Sequence, residues 1–327
     1  MIQLLTYPDI DPQQWQSLVE HSPYATWFQT KEAYEFYTSV DDVQAFVYGV
    51  SEEDNLVGIV VGYTTKEKCK FKQHFTARSI IVGGPLLADN ISNEALTALL
   101  KAIRRLGDKA IYVETRNFHD YSKWKSIFEA NEFTYQPHYD IHVHCSAQHQ
   151  MSERRQRELK RAIKNGATVA QAQSEQEIRD WYQILCQLYR EKVRTPLFSE
   201  EFFLQFYRNG VGKYLLVKHE DKIIGGMMCP VLDSKAIYEW YVCGLDEEYK
   251  DLSPSVVATH AAIEYAKSNG LSLFDFMGAG EPEIPYGVRD FKMEFGGELK
   301  EFGRFLCIRK PLLYWIGKIG VKWLKRK

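Results

Sequence analysis

The sequence predicts an α/β (α+β) protein of two similar domains, each with a mixed β-sheet flanked by helices. Three observations support this prediction. The 327 residues suit two domains of ordinary size better than a single core. With 45% hydrophobic and 26% charged residues, the chain has the balance of a folded protein rather than a disordered one. Segments with the same order of strands and helices also recur at a nearly constant spacing.

The first repeated element is a predicted β-hairpin. Residues 46–63 read FVYGVSEEDNLVGIVVGY, and residues 214–231 read YLLVKHEDKIIGGMMCPV. Each segment has two β-rich runs around a polar turn with acidic residues, which is typical of a hairpin. Aligning Gly58 with Gly225 gives an offset of 167 residues (225 − 58). We expect these two glycines to occupy equivalent positions.

The second repeated element is a helix followed by a strand. Residues 92–116 (SNEALTALLKAIRRLGDKAIYVETR) and 253–280 (SPSVVATHAAIEYAKSNGLSLFDFMGAG) each show apolar residues three and four apart, then an apolar run. Gly107 and Gly270 are the predicted helix stops, at an offset of 163 (270 − 107). The similar offset favours a duplication over a chance likeness of two α/β segments.

A third correspondence completes the predicted domains. The short helix in YSKWKSIFEANEF precedes the strand YDIHVHC, and the one in YGVRDFKMEFGGE precedes EFGRFLCIR. The pattern predicts an N-terminal domain at 1–148, a C-terminal domain at 149–310 and a basic amphipathic helix at 311–327.

Charge and residue spacing exclude several classes of protein. The formal net charge of −2 provides no global positive field for nucleic acid. The six cysteines include no Cys-x-x-Cys pair and the nine histidines no His-Glu-x-x-His motif, so no metal site is expected. The N-terminus lacks a signal-peptide pattern, and no apolar run is long enough to span a bilayer. We expect a cytoplasmic protein, at most peripheral at the inner face of the membrane.

The order of elements resembles the GNAT acyltransferase fold and implies two tandem GNAT-like domains. GNAT enzymes that use acyl-CoA bind its phosphates on a glycine-rich loop between the fourth strand and the next helix. Domain two reads CGLDEEYKDLSPSVVATHA there, with Tyr249 and Pro254 among the residues in place of glycines. In domain one, Gly83 and Gly84 come too early and are followed by Pro85. The sequence therefore disfavours CoA as the donor.

Three segments resemble the Fem-type (peptidoglycan bridge-forming) aminoacyltransferases, a branch of the tandem GNAT proteins. They are SPYATWFQTKEAY (22–34), YKDLSPSVVATHAAIEYAKSNGLSLFDFMGAG (249–280) and FKMEFGGE (291–298), the last of which is similar to the family's Phe-Lys-x-x-Phe-Gly ending. The resemblance implies transfer of an aminoacyl group from charged tRNA to an amine of an envelope precursor. It implies no tightly bound cofactor, only an acyl donor as co-substrate.

Lys292 is the main catalytic candidate. In the predicted helix 287–295, Val288, Phe291 and Phe295 form an apolar face, and Lys292 lies beside it. A fixed cation facing the carbonyl oxygen of an attacked ester can stabilise the transition state by about 3 kcal/mol. The alternative is a surface lysine, which the resemblance makes the weaker interpretation. Lys292→Ala is expected to retain the fold and its stability while losing most activity.

The segment IYEWYVCG (237–244) supplies two further catalytic candidates. Simple alternation on a strand puts Tyr238, Trp240 and Val242 on one face, and Glu239 and Tyr241 on the other. Glu239 could accept the proton of the attacking amine, and Tyr241 could orient the substrate. Ordinary packing with an exposed glutamate is the alternative.

Seven residues are predicted to bind substrate. Two belong to a basic helix that could contact phosphates, two lie where the Fem family places a phosphate-contacting arginine, one adjoins Lys292, and two mark a strand end that substrate or backbone approaches closely. The alternatives are a solvated helix face with glutamate pairing and, for the aspartate, a structural carboxylate. In that order they are Arg155, Lys160, Arg190, Arg194, Phe291, Asp275 and Gly278.

The C-terminal segment PLLYWIGKIGVKWLKRK reads as an amphipathic helix. Its lysines 318, 322 and 325 fall on one face, and Leu312, Ile316, Ile319 and Trp323 on another. We expect the apolar face to pack on domain one, with docking on an anionic membrane as the alternative.

The predicted function is an acyltransferase that moves an aminoacyl or acyl group from an activated carrier to an amine of a small-molecule or lipid-linked envelope precursor. tRNA is the expected donor carrier. A second interpretation is an N-acyltransferase that uses acyl-CoA or acyl carrier protein on an amino sugar or amino acid. A third is a duplicated binding module without catalytic activity.

Overall fold

A computed structural model describes residues 1–66, 75–106, 108–145 and 151–326, the last six of these without their side chains. The chain divides into unit 1, Met1–Pro137 with Glu301–Lys327, and unit 2, His138–Lys300. In the described part of the chain, the strands are β1 (Ile2–Thr6), β2 (Val43–Glu52), β3 (Asn55–Thr65), β4 (Ser79–Gly83), β5 (Leu86–Leu87), β6 (Tyr112–Asn117), β7 (Thr134–Gln136), β8 (Tyr139–His144), β9 (Thr168–Gln171), β10 (Gly212–His219), β11 (Lys222–Leu232), β12 (Ala236–Tyr238), β13 (Tyr241–Gly244), β14 (Leu273–Asp275), β15 (Glu298–Glu301) and β16 (Arg304–Ile308).

Helices connect these strands, among them the predicted helices before Gly107 and Gly270 and in the segment 287–295. Within the same described ranges they are α1 (Pro12–His21), α2 (Lys31–Thr38), α3 (Asn93–Leu106), α4 (Lys125–Ala130), α5 (Glu153–Lys164), α6 (Glu175–Leu188), α7 (Glu200–Arg208), α8 (Pro254–Ser268), α9 (Gly287–Met293) and α10 (Pro311–Arg326).

The two units have the same sheet topology. The strand order is β1-β2-β3-β4-β6-β16-β7 in unit 1 and β9-β10-β11-β12-β14-β8-β15 in unit 2. The pairs β4–β6 and β12–β14 are parallel, and the hairpin strands are antiparallel. The predicted α/β fold of two similar mixed-sheet domains is confirmed.

The hairpins β2–β3 and β10–β11 match residue for residue. Gly58 lies opposite Val50, and Gly225 lies opposite Val217; in both hairpins the register shifts directly after that valine. Both turns use two residues with positive φ, as tight hairpin turns require. These are Glu53 and Asp54 in the first hairpin and Glu220 and Asp221 in the second. The predicted equivalence of Gly58 and Gly225 is confirmed.

The longest helix of each repeat forms the centre of its core. In unit 1, α3 buries Leu96, Leu99 and Ile103 against the sheet, and in unit 2, α8 buries Val257 and Ile263 in the same way. These positions follow the three-and-four spacing of an amphipathic helix. Gly270 follows α8 with φ +68°, as a helix-ending glycine does. The predicted stop at Gly107 lies outside the described residues.

Two strands join a different unit from the one that the sequence predicts. Strand β8 pairs with β14 in unit 2, and β16 pairs with β6 and β7 in unit 1. The predicted boundaries after residues 148 and 310 therefore shift to 137/138 and 300/301; residues 146–150 lie outside the described ranges. Apolar alternation predicts that a segment is a strand, but backbone hydrogen bonds to a distant segment decide its sheet.

Helix α10 does not pack its apolar face as predicted. Leu312, Trp315, Ile316 and Ile319 are 73%, 56%, 57% and 66% exposed. The helix is held near its start, where the Tyr314 ring lies edge-on to that of Tyr112 in unit 1. The side chain of Trp323 and residue Lys327 lie outside the described part of the chain. No described helix is long and apolar enough to cross a membrane.

Candidate active site

The sheet of unit 2 opens where β12 and β14 end. These parallel strands pair as far as Tyr238 and Asp275, and the Glu239 N–H then donates to the Asp275 carbonyl at 2.9 Å. Beyond this point β13 pairs with β11, while the Phe276 N–H donates to the Ile141 carbonyl of β8 at 3.1 Å. The two strands thus bond to different neighbours, and their pairing with each other ends here.

Unit 1 is closed at the corresponding place. Strand β4 pairs with β6 to its last residue, where Gly83 lies opposite Asn117. The buried Gln29 amide donates to the carbonyls of Gly83 (3.2 Å) and Gly84 (2.9 Å), and the Tyr121 hydroxyl donates to the Gly83 carbonyl (3.2 Å). Among the described residues, the parallel strand pair is therefore closed at its end in unit 1 and open at its end in unit 2.

An extra residue in the fourth strand causes the opening. The pairing register with β11 shifts by one residue between β12 and β13, as in a β-bulge. Trp240 and Tyr241 therefore both contact Phe202 of α7, at ring-centroid distances of 5.4 and 6.4 Å. The prediction that Trp240 and Tyr241 face opposite sides is wrong, because a bulge interrupts the alternation.

Lys292 of α9 joins the two sides of the opening. Its ammonium lies 3.0 Å from Glu239 Oε1 and donates to the carbonyls of Phe276 (2.8 Å) and Gly278 (2.9 Å). The residue is 8% exposed, whereas Val288, predicted to lie on the apolar face, is 44% exposed. Since an ammonium has three N–H donors, each has an acceptor in this arrangement. The catalytic role of Lys292 stays a prediction, and its observed contacts are structural.

Glu239 uses only one of its two carboxylate oxygens in contacts with the described residues. Oε1 pairs with Lys292, while the buried Oε2 has no hydrogen-bond partner among the described residues. Burial raises the pKa of Glu239, and the adjacent Lys292 ammonium opposes this rise. A carboxylate in such a place can accept a proton from a bound amine. Tyr241 is half-buried against Phe203, 5.0 Å between ring centroids.

Asp275 and Gly278 shape the segment after β14. Gly278 has φ +125°, and an added Cβ there would meet only His138 Nε2 within 4 Å, at 3.9 Å. Glycine is thus required by the backbone conformation, not by the close approach that the sequence suggested. Asp275 is 1% exposed, and its Oδ1 accepts the Met277 N–H at 2.6 Å.

Asp275 lies beside two residues that sequence reasoning missed. Its Oδ2 is 3.3 Å from His142 Nε2, which is 3.8 Å from Asp140 Oδ2. Burial and the neighbouring Asp275 carboxylate raise the pKa of Asp140 well above its usual range. The alternation of Asp140 and His142 in YDIHVH puts them on one strand face, but the sequence has no signal that this strand pairs with β14.

Arg155 and Phe291 pack against each other. The guanidinium lies 4.4 Å from the centre of the Phe291 ring and pairs with Glu294 (2.6 Å) and Glu158 (2.5 Å). Arg155 is 7% exposed. These contacts join α5 to α9, so the geometry gives both residues a packing role and leaves substrate binding by them a prediction. Lys160 is exposed on α5.

The two candidate arginines lie at the end of α6. A π-helical turn, Tyr189–Val193, contains Arg190, and Arg194 follows it with φ +55°. Both are exposed, and Arg194 Nε donates to the Glu191 carbonyl at 3.3 Å. No hydrogen bond or ion pair among the described residues connects them to Glu239, so phosphate binding by either arginine stays a prediction.

The N-terminus of α8, where GNAT enzymes would hold a phosphate, is already capped. Asp246 Oδ1 accepts the Ser255 N–H at 3.1 Å, and the Val256 N–H donates to the Ser253 carbonyl at 3.0 Å. Pro254 has no N–H to offer. A side-chain carboxylate thus occupies the first turn of the helix, where an incoming anion would otherwise bind.

One family model matches part of the chain. Residues 149–293 match the family model "Acetyltransferase (GNAT) domain". The search of curated protein sequences found no match.

Three solved structures are similar over nearly the whole chain. FemX has 14% sequence identity and a TM-score of 0.70, covering 96% of this chain and 99% of its own. L-PGS from Bacillus licheniformis has 14% identity and a TM-score of 0.60, covering 97% and 98%. A tandem GNAT protein from the clavulanic acid biosynthesis pathway has 11% identity and a TM-score of 0.61, covering 94% and 98%. The chain therefore has the tandem GNAT acyltransferase fold, and its predicted resemblance to Fem-type proteins is confirmed at the level of the fold.

Proposed function

We propose that this protein transfers an aminoacyl group from charged tRNA to a primary amine of a cell-envelope precursor, at the sheet opening of unit 2. The observation that carries the proposal is the buried Glu239 carboxylate at that opening, with Oε2 unbonded within the described chain. A preorganised acceptor for the amine proton is what attack on an activated ester needs. Unit 1, closed by Gln29 and Tyr121, would serve binding rather than chemistry.

The capped α8 N-terminus supports a donor other than acyl-CoA. A pyrophosphate at this helix end would meet the Asp246 carboxylate, and the Ser255 N–H would have to leave its present acceptor. Like charges in contact are repulsive, so the geometry disfavours CoA. An aminoacyl ester places no such demand on the first turn of α8.

The reaction proceeds by direct attack. The amine nitrogen forms a bond to the ester carbonyl carbon, and the bond from that carbon to the tRNA 3′-oxygen breaks. Glu239 Oε2 accepts the proton that the amine loses and returns it to the departing oxygen. Lys292 holds Glu239 and the Phe276–Gly278 carbonyls in place and is a positioning residue in this scheme. The rate gain comes mainly from orientation of the two substrates.

Transfer assays with labelled donors test this proposal. We expect product from labelled aminoacyl-tRNA that disappears after ribonuclease treatment, and a fall of about 100-fold or more in kcat for Glu239→Gln. Glu264→Gln, an exposed carboxylate on α8, is the matched control and should leave kcat unchanged.

Other outcomes identify the alternatives. The match of residues 149–293 to an acetyltransferase domain favours acyl-CoA as the second donor to test. Ribonuclease-resistant transfer from acyl-CoA to an amino sugar or amino acid would replace the tRNA proposal. Binding of an acceptor without transfer from either donor would identify a binding module instead.

We also propose that α10 docks on anionic membrane. The exposed Leu312, Trp315, Ile316 and Ile319 would enter the interface, and the segment from 310 to 327 contains no acidic residue. Lys318 lies over the Trp315 ring at 5.4 Å, which places a cation beside the apolar face. Basic residues near the surface strengthen attraction to anionic lipids.

Vesicle sedimentation tests the membrane contact. The full chain should sediment with vesicles containing phosphatidylglycerol and stay in solution with phosphatidylcholine vesicles. Trp315→Ser combined with Ile319→Ser should abolish sedimentation, whereas the control Ile284→Ser, 52% exposed in unit 2, should retain it. Equal sedimentation of both variants would show that α10 is not the contact.

A further inference from the structure

Three metal-ligating side chains converge in the interior of unit 2. His142 of β8 lies directly opposite Asp275 of β14, and Asp140 lies two residues before His142 on the same strand face. The residues are 3%, 8% and 1% exposed for Asp140, His142 and Asp275. One ligand atom from each of the three residues lies within 4.8 Å of the other two.

The carboxylates are oriented so that one oxygen of each faces this cluster. Asp140 Oδ1 accepts the backbone N–H groups of Ile141 and Gly278, both at 2.7 Å. Asp275 Oδ1 accepts the Met277 N–H at 2.6 Å. The Oδ2 atoms of both aspartates are buried and face His142 Nε2, at 3.3 Å from Asp275 and 3.8 Å from Asp140, and no backbone N–H of the described residues bonds to them. Hydrogen bonds that hold a carboxylate in one orientation are typical of the surroundings of metal ligands.

The charges of the cluster are not balanced by the basic side chains around it. No Lys or Arg among the described residues forms an ion pair with Asp140 or Asp275, and Lys292 already neutralises Glu239. Without a metal ion, an imidazolium at His142 would balance one carboxylate, and the other would have to be protonated to avoid an unpaired charge. Uncompensated buried charge is costly. A divalent cation with a neutral imidazole would balance both carboxylates.

We propose that Asp140 Oδ2, His142 Nε2 and Asp275 Oδ2 bind a divalent transition-metal ion, with Zn²⁺ as the best match. The imidazole nitrogen lies 3.3 and 3.8 Å from the two oxygens, close to the separation of about 3.4 Å between ligands in a tetrahedral zinc site. An imidazole with two carboxylates suits zinc better than Ca²⁺ or Mg²⁺, which select oxygen ligands.

The ion would hold β8 to β14 beneath the candidate active site. Asp140 also accepts the N–H of Gly278, whose carbonyl accepts from Lys292. This inference departs from the expectation of no metal, and it is independent of the donor and acceptor proposed above.

Metal binding by the full chain tests the proposal. After removal of metal with a chelator, the protein is titrated with Zn²⁺ against a competing dye, and with Co²⁺ by visible spectroscopy. We expect one equivalent bound, and a rise in Tm with Zn²⁺. Asp140→Asn and His142→Gln should each weaken Zn²⁺ binding by about 100-fold or more. His144→Gln is the matched control, because His144 lies on β8 like His142 but pairs with the exposed Glu298 at 3.8 Å. This variant should bind zinc as the wild type does.

The Co²⁺ spectrum of the wild-type protein tests the proposal even if a variant does not fold. A Co²⁺ spectrum with four-coordinate bands and no thiolate-to-metal transition would support nitrogen and oxygen ligands. A thiolate transition would assign the metal to a cysteine and overturn the proposal. Binding of less than one equivalent, or equal affinity in wild type and folded Asp140→Asn, would also overturn it.

Discussion

Replacing Lys292 with alanine should destabilise the protein strongly. The ammonium and its partner Glu239 are 8% and 6% exposed, and the ammonium also bonds two main-chain carbonyls. Breaking a buried pair leaves an uncompensated charge and costs about 3–5 kcal/mol. This prediction of a large loss of stability replaces the expectation from the sequence that Lys292→Ala retains full stability.

Urea unfolding of the wild type and variants measures this cost. The control is Lys267→Ala, whose ammonium lies 2.8 Å from Glu264 but whose side chain is 31% exposed, so its loss should cost below about 1 kcal/mol. The double variant Lys292→Ala with Glu239→Gln should lose less than the sum of the single variants, with a coupling of about 2 kcal/mol. A cost for Lys292→Ala no larger than that of Lys267→Ala, without coupling, would refute the buried pair.

Three further predictions concern backbone strain and acid stability. Gly278→Ala should lower the free energy of unfolding by about 1–3 kcal/mol, because the φ of Gly278 is +125°. Gly287→Ala is the control and should not lower it, because an added Cβ there would meet open space. Denaturant unfolding curves of both variants measure the two free energies. Burial would raise the pKa of Glu114, but Arg116 and Arg304 outweigh it and lower the pKa to about 2. This lowered pKa corresponds to about 3 kcal/mol of stabilisation at neutral pH, which should disappear as the pH falls from 4.5 to 2. In Glu114→Gln this pH-dependent stabilisation should be absent at every pH. Unfolding of both proteins at stepped pH measures the difference. Burial lowers the pKa of His119 to about 3, so between pH 6.5 and 3 the unfolded chain binds a proton that the folded chain does not. The stability of the wild type relative to His119→Phe should therefore fall by about 1.4 kcal/mol for each pH unit below 6.5 in that window. A difference that stays constant with pH would contradict this prediction.

The sequence determined the duplicated architecture. Two hairpins with glycines 167 residues apart, and a helix with three-and-four apolar spacing after each, were visible as local patterns. Local patterns of this kind depend on residues close in sequence, whose geometry within a helix or a strand is known in advance. The same argument explains why Gly58 and Gly225 were correctly paired.

Only the tertiary structure decided which distant segments meet. It placed β8 and β16 in their sheets, inserted a bulge that turns Trp240 and Tyr241 to one side, and brought Lys292 to Glu239. It also brought Asp140 and His142 beside Asp275 and left the apolar face of α10 exposed. Each of these depends on hydrogen bonds and packing between residues far apart in the chain, and neither periodicity nor composition contains that information.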